Sequence, residues 1–512
     1  MLRKLLKFLL HRVVIVGTFI AIQAAILIGM IWKFNSYFVY FYAFCLLLSA
    51  GVVLYIISNK SNPGYKIAWI ILILLFPIFG GLFYVMFGEN KLSKKQREKM
   101  SSIGNKMTKL LKQEDPVWNE IKSVSETAST QSRYICDYAL CPPYKNTYTE
   151  YLPLGEIAFE RMKEELEKAE HYIFMEYFII QEGVMWDGIL EILERKVKQG
   201  VDVRVIYDDM GCILTLPYGY NKKLEKMGIK CQVFNPFVPI LSARFNNRDH
   251  RKILVIDGHT GFTGGINLAD EYINAYEKHG HWKDTAIMLK GEGVWSMTNM
   301  FLTLWDYIAN TDEDYEIYRP HVHMKEVVQA NGYVQPFTDS PHDHEPVGET
   351  VYLNLINRAK KYVYINTPYL IIDNEMITAL CVAAKSGVDV RIVTPHIPDK
   401  WYVHAVTRAY YDVLLESGVK IYEYTPGFIH AKTFVVDDLY SVVGTINLDY
   451  RSLYLHFECG VWLYKTDTVM DVKADYLETL KVCKEVTLAE SHYVKWYRKL
   501  GRAVLRIFAP LM

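Results

Sequence analysis

Two short phrases in this 512-residue chain carry the same reactive side chains at the same spacing. His250-Arg251-Lys252 runs to Asp257 and on to Gly264-Gly265-Ile266-Asn267. His430-Ala431-Lys432 runs to Asp437 and on to Gly444-Thr445-Ile446-Asn447. A lone His-x-Lys carries no signal. Two copies with one His-to-Asn spacing, each on an apolar run, read as half-sites of a single phosphate-handling centre. Attack on a phosphodiester needs a nucleophile, positive charge against the phosphoryl oxygens, and an acid for the departing oxygen. Residues two apart on a strand share a face, so each phrase should present an imidazole beside an ammonium group. One imidazole can attack phosphorus and form a covalent intermediate. The other, protonated, can donate to the leaving oxygen and later deprotonate the acceptor hydroxyl. Lys252 and Lys432 supply charge where the transferring oxygens gain it. Asn267 and Asn447 are expected to donate amide hydrogen bonds to the same oxygens. This chemistry calls for no metal and no cofactor.

Each histidine needs a group that holds its tautomer. Two acids follow the phrases at comparable distances, Asp284 in His281-Trp282-Lys283-Asp284 and Glu458 in His456-Phe457-Glu458. His281 and His456 beside them read as incidental. Asp257 and Asp437 complete the catalytic set with His250, Lys252, His430 and Lys432; placed at strand ends, they are expected to brace a loop rather than touch substrate. His321, His323, His342 and His344 lack a carboxylate frame for a metal and read as solvated loop residues.

The elements that must position these groups also occur twice. Gly155-Glu156 opens a helical pattern leading to an apolar strand at Tyr172–Ile180, and Gly348-Glu349 opens another leading to Tyr362–Ile371. Gly200-Val-Asp-Val-Arg204 recurs letter for letter as Gly387-Val-Asp-Val-Arg391. Helical patterns alternating with short apolar strands predict an α/β fold, each copy a sheet flanked by helices. Ile253–Ile256 and Thr433–Val436 lack polar alternation, as strands buried on both faces do. Asn331–Pro346 reads as the linker between copies. The first copy carries two inserts, around Phe237–Asp249 and Asp270–His281. Two lobes about a pseudo-twofold axis would bring the phrases face to face.

The soluble part is preceded by apolar stretches near Val13–Trp32, Tyr37–Ile57 and Ile67–Phe87, each close to the ~20 residues that span a bilayer. They predict transmembrane helices and a multi-pass protein of the cell membrane. Basic clusters flank the set: Arg3, Lys4, Lys7 and Arg12 before it, and Lys91, Lys94, Lys95, Arg97 and Lys99 after it. Both draw their ends to the cytoplasmic side, which three full crossings cannot satisfy; a re-entrant or interfacial stretch would. The expected organisation is 1–90 transmembrane, 91–145 basic juxtamembrane connector, 146–335 first lobe, 336–490 second lobe and 491–512 amphipathic tail. Zero net charge, from 57 basic and 57 acidic side chains, argues against a nucleic-acid partner. The eight scattered cysteines show no zinc spacing and read as free thiols.

At the two phrases the sequence resembles the phospholipase D superfamily, and more closely its bacterial cardiolipin synthases. The resemblance rests on His250-Arg-Lys-Ile-Leu-Val-Ile-Asp-Gly258, Phe262-Thr-Gly-Gly-Ile-Asn-Leu-Ala-Asp-Glu-Tyr272, Gly444-Thr-Ile-Asn-Leu-Asp-Tyr-Arg-Ser452 with Phe457-Glu458, and the run from Asn62-Pro63 to Phe87-Gly88. It covers the chain from about residue 37 onward. It implies two phospholipase D-like lobes and a phosphatidyl transfer: one phosphatidylglycerol gives its phosphatidyl group to a histidine, glycerol leaves, and a second phosphatidylglycerol accepts the group to give cardiolipin. It further implies His250 as nucleophile, His430 as acid and base, and each histidine paired with the acid of the other half, Glu458 with His250 and Asp284 with His430. Many relatives have Gly-Ser where this chain has Gly264-Gly265, which leaves Thr445 as the hydroxyl at that position. Anionic membrane lipids are the expected partners. A hydrolase of the same bond and a non-catalytic membrane scaffold are the rival readings.

Overall fold

A computed structural model describes residues 38–77, 79–88, 116–237, 247–325, 328–343 and 345–511, with scattered positions in 18–29 and 98–110. The chain divides into two compact units, one of Met1–Leu92, Asn235–Asn247 and Ile507–Met512, the other of Ser93–Phe234 and Arg248–Arg506.

In the first unit, helix α1 (Phe38–Ser58) is followed by α2 (Pro63–Leu75) and α3 (Gly80–Phe87). Among the described residues, Val39–Ser58 is the one helix long and apolar enough to cross a membrane. The expected span at 67–87 is not continuous. Pro77 has no N–H and disfavours helical geometry in the residue before it, and Phe76 leaves the helix at φ −128°, ψ 66°. α3 then folds back along α2. The Tyr65 hydroxyl, near the start of α2, donates to the Gly88 carbonyl just beyond α3 (3.1 Å), and Trp69 meets Tyr84 edge-on at 5.1 Å. The turn of this hairpin lies against the middle of α1, where Ser49 Oγ donates to the Pro77 carbonyl (2.9 Å). A β-carbon on Gly80 would lie 2.5 Å from Ile73 Cα, so glycine is what lets the helices approach this closely. The stretch at Val13–Trp32 and the basic run Lys91–Lys112 lie mostly outside the described residues.

The second unit holds two mixed sheets of matching order. The first lobe contributes β1 (Thr147–Leu152), β2 (Tyr172–Tyr177), β3 (Asp202–Asp208), β4 (Lys230–Phe234), β5 (Arg248–Asp249), β6 (Lys252–Ile256), β7 (Thr260–Gly264), β8 (His281–Lys283) and β9 (Ala286–Gly291). The second contributes β10 (Tyr333–Asp339), β11 (Tyr362–Asn366), β12 (Leu370–Ile371), β13 (Asp389–Pro395), β14 (Lys420–Tyr424), β15 (Gly427–Ile429), β16 (Thr433–Val436), β17 (Tyr440–Gly444), β18 (Leu448–Asp449), β19 (His456–Tyr464) and β20 (Cys483–Val486). The orders β1-β9-β7-β6-β2-β3-β4 and β10-β19-β17-β16-β11-β13-β14-β20 superimpose strand for strand, with β20 added at the second edge. β2, β6, β11 and β16 are buried along their whole length, as strands covered on both faces must be.

Two expected boundaries move. The 331–346 segment is not a linker: β10 pairs antiparallel with β19 from Tyr333↔Tyr464 to Asp339↔Glu458. A limit at 335/336 would cut that strand, because turn-forming residues at its end outweighed its own apolar alternation. The 91–145 stretch is not only a connector either. Helix α4 (Pro116–Val124) is followed by α5 (Glu126–Tyr138), whose Gln131 accepts from Trp462 Nε1 (3.2 Å) and whose Ser132 carbonyl accepts from Gln335 Nε2 (3.1 Å). Among the described residues these histidines do not gather: His323 lies tilted against His171 at 4.3 Å and His342 packs edge-on to Phe457, while His344 lies outside the described residues. None of the eight cysteines forms a disulfide.

Candidate active site

The two histidine phrases enter the site by exchanging short strands between lobes. β5, just before His250, pairs in parallel with the start of β19, and the His250 N–H donates to the Phe457 carbonyl (2.9 Å). β15, just before His430, pairs in parallel with β8, and the His430 N–H donates to the Lys283 carbonyl (2.7 Å). His250 and His430 themselves sit in the loops ahead of β6 and β16, not on the strands expected of them. The reason is that each backbone is claimed by the opposite lobe immediately upstream.

That exchange sets the side-chain pairing. His250 Nδ1 lies 2.9 and 3.0 Å from the two oxygens of Glu458. His430 Nδ1 lies 2.6 Å from Asp284 Oδ2. Both carboxylates are fully buried and both imidazoles nearly so. A carboxylate at Nδ1 leaves Nε2 as the nitrogen that can face phosphorus. Lys252 Nζ donates to the His250 carbonyl (2.6 Å), and Lys432 Nζ lies 3.1 Å from His430 Nε2.

Electrostatics among these side chains favour neutral rings. Burial first, then Lys252 and Lys432, holds His250 well below the usual histidine range. Burial and then Lys432 push His430 down to about 4. Burial lowers Lys252 to about 8 and Lys432 to about 7, opposed in both by the buried carboxylates. An anion entering here meets ammonium groups already stripped of water, where its charge counts most.

Asp257 and Asp437 sit away from this chemistry. Asp257 accepts three backbone N–H groups, from Glu170, His171 and Tyr172, each at 2.8 Å. Asp437 does the same with Lys360, Lys361 and Tyr362 at 2.7 to 2.9 Å. Each ties the turn after its catalytic strand to the start of the neighbouring strand, β2 or β11. Asn267 is engaged within the protein: its Oδ1 accepts from the Ile179 N–H (3.0 Å) and its Nδ2 donates to Tyr272 Oη (2.7 Å). Asn447 is buried, and its Oδ1 has no partner among the described residues. The Thr445 hydroxyl bonds Glu458 Oε2. In the other lobe a β-carbon on Gly265 would lie 2.0 Å from Asp284 Oδ1, so Asp284 fills the space that a side chain would need.

Several residues of the site were not singled out from the sequence, and one, His456, was set aside as incidental. His456 packs 5.5 Å from the His250 ring, with Nδ1 3.7 Å from Glu458 Oε1; burial drives it down to about 3. Residues two apart on β19 share a face, which was the available signal. His250, His456 and Glu458 are the one described group whose donor atoms come close enough, within 4.8 Å, to hold a metal ion. Trp282 occupies the matching place beside His430, at 5.6 Å. Beneath the first phrase, Arg251 is buried against Glu176 (2.7 Å) and Asp249 (3.1 Å).

Two like α/β lobes that exchange strands and pair each histidine with the other's carboxylate define a duplicated, phospholipase D-like architecture. The family described as cardiolipin synthase, PLD-like domain, matches residues 162–291 and 352–480, and the phospholipase D-nuclease N-terminal family matches 47–89. A cardiolipin synthase of Geobacillus kaustophilus is 34% identical over 92% of this chain and 94% of its own. An uncharacterized protein of Streptococcus mutans is 49% identical over 90% of this chain and 100% of its own. In fold, the crystal structure of phosphatidylserine synthase from Haemophilus influenzae is similar with a TM-score of 0.56 at 18% identity, covering 75% of this chain and 98% of that one. The chain belongs to the cardiolipin synthase family of phospholipase D-like proteins.

Proposed function

We propose that the protein is a phosphatidyltransferase that joins two phosphatidylglycerol molecules into cardiolipin and releases glycerol. The carrying observation is the pair of buried imidazoles from opposite lobes, each held at Nδ1 by the other lobe's carboxylate. In the first half-reaction His250 Nε2 attacks phosphorus, a nitrogen–phosphorus bond forms and the bond to glycerol breaks. His430 gives its proton to the departing glycerol oxygen. In the second, the terminal hydroxyl of another phosphatidylglycerol loses its proton to His430 and attacks, and the nitrogen–phosphorus bond breaks. The diester's negative charge and Asp284 both favour the imidazolium form that His430 needs. Lys252 and Lys432 stabilise the charge gained in each transition state. Asn447 is the amide left to reach the phosphoryl oxygens; Asn267, Thr445, Asp257 and Asp437 hold the frame. Purified protein given phosphatidylglycerol alone should release glycerol and form cardiolipin. Phosphatidic acid as the only product would make it a hydrolase.

The same reading supports an integral-membrane placement, with anionic phospholipid as substrate and surroundings and no nucleic-acid partner. α1 is long enough to cross, at roughly 30 Å. α2 and α3, roughly 20 and 12 Å long, are too short to cross singly. Their hairpin, with its turn at the level of Ser49, supports a re-entrant segment that starts and ends on one side. With Val13–Trp32 as a second crossing, both basic flanks then lie on the cytoplasmic side, which removes the conflict that three full crossings create.

A further inference from the structure

The C-terminal helix α6 (Trp496–Ile507) is mounted with its faces reversed. Trp496, Leu500 and Val504 form one side; Arg498, Arg502 and Arg506 form another. A surface helix ordinarily turns its apolar stripe to the core. Here no residue of the helix is buried, and Trp496 and Leu500 are 76% and 59% exposed. The arginine side lies toward the second lobe instead, with Arg502 half-buried and Arg498 and Arg506 still exposed. Arg506 lies over the Tyr410 ring at 4.5 Å, and Arg498 and Arg502 line a cavity of about 370 Å³ behind the helix.

That cavity holds more positive charge than it neutralises. Its wall also carries Arg408, Lys484 and Lys495. Two of these cations are paired, Arg408 with Glu423 (2.7 Å) and Lys484 with Glu490 (2.7 Å). Among the described residues no carboxylate pairs with Lys495, Arg498 or Arg502. Burial, and after it the neighbouring Arg408, lowers the proton affinity of Arg502. None of the lining residues belongs to the catalytic site. The wall also carries Glu423 and Glu490, already paired, so Arg498 and Arg502 are the guanidinium groups left to suit a phosphate, whose oxygens they can bind in pairs. The volume falls in the range of ordinary ligand pockets, about 300–1,000 Å³.

We infer that this cavity is a second phosphate site, filled by the headgroup of an anionic phospholipid while the apolar side of α6 lies in the bilayer interface. The inference rests on the reading that the protein works on membrane lipid, but it concerns a site that the reaction does not use. Its function would be to hold an anionic lipid, substrate or not, against the second lobe.

The test uses the full-length protein reconstituted in zwitterionic vesicles, with Trp496→Phe as the baseline that isolates the Trp496 fluorescence. A small fraction of brominated phosphatidylglycerol should quench Trp496 more than the same fraction of brominated phosphatidylcholine. Arg498→Gln with Arg502→Gln should remove that preference, by about fivefold per arginine. Equal quenching by both lipids would overturn the headgroup site, and no quenching by either would overturn the membrane-facing helix. Loss of the preference on adding inorganic phosphate, with Arg498 and Arg502 then protected from phenylglyoxal, would assign the site to free phosphate and overturn the lipid. Glycerol release from phosphatidylglycerol in detergent micelles, measured on the same double variant, tells the two readings apart: turnover that persists without selective quenching sinks this inference alone, and its absence in the parent protein sinks the catalytic one.

Discussion

His250 Nδ1 sits 2.9 Å from an oxygen of Glu458, a residue 208 positions further along the chain and on the other lobe. A neutral imidazole so held has its proton at Nδ1 and its lone pair at Nε2. Glu458→Gln keeps the shape and loses that bias. It should leave the fold intact and lower kcat by roughly 10⁴-fold, with KM little changed, as loss of the orienting carboxylate does in other histidine sites. Steady-state kinetics with phosphatidylglycerol check it; a kcat within a few-fold of the parent would remove Glu458 from the mechanism.

The two histidines should fail differently. His430→Ala retains the nucleophile but not the acid and base, so a phosphatidyl-enzyme should form slowly and persist. His250→Ala should form none. Mass spectrometry of the quenched protein reads the adduct, and an adduct on His430 in His250→Ala would exchange the two roles.

Lys432 links pH to both activity and stability. Its ammonium form is what meets the phosphate, and its pKa is lowered to about 7. kcat/KM should therefore fall as pH rises through 7 to 8, the upper end set by Lys252 at about 8. Stability moves the other way. Unfolded, Lys432 titrates near 10.5, so between about 7 and 10.5 the unfolded chain binds more protons and stability rises with pH. The rise in melting temperature over that window should shrink in Lys432→Met; an unchanged rise would show that Lys432 is not its source.

Asp257 and Asp437 are expected to act on folding. Removing the Asp257 carboxylate strands three buried or half-buried backbone donors, at about 1 kcal/mol or more each, whereas the donors that Asp437 serves are largely exposed and water can replace it. Asp257→Ala should therefore lose about 3 kcal/mol or more and Asp437→Ala clearly less, seen as a lower melting temperature, while the folded fraction keeps its turnover. A variant of normal stability without activity would place the carboxylate in the chemistry instead.

The proposed re-entrant placement of the α2–α3 hairpin has a direct consequence for accessibility. In a background without native cysteines, Asn59→Cys and Ser93→Cys should react with an impermeant maleimide from the same side of the membrane. Labelling from opposite sides would make 67–87 a full crossing.

The duplication was plain in the chain because repeated letters at constant spacing need no folding to be seen. The brace made by Asp257 and Asp437 was legible as well, since an acid at the end of an apolar strand has nearby N–H groups to satisfy. The end of the second sheet was not: β10 was concealed by the Pro and Asp residues that follow Gln335, and it is a strand only because β19 offers it a partner. His456 was set aside because its neighbour in space, His250, lies far away in sequence. The break at Pro77 was present in the residue type, but apolar length alone had favoured a continuous span.

By itself, then, the amino-acid order determined which reactive groups occur, that they occur twice, and that apolar helices precede them; composition and periodicity are local properties that each segment carries alone. Which carboxylate meets which imidazole, that Asn267 is engaged with Tyr272 while Asn447 Oδ1 has no partner among the described residues, and that α6 sets its arginine side toward the second lobe were decided only when β5 paired with β19 and β15 with β8, and the helices packed. Those contacts join residues hundreds of positions apart, and their geometry depends on the whole unit closing at once.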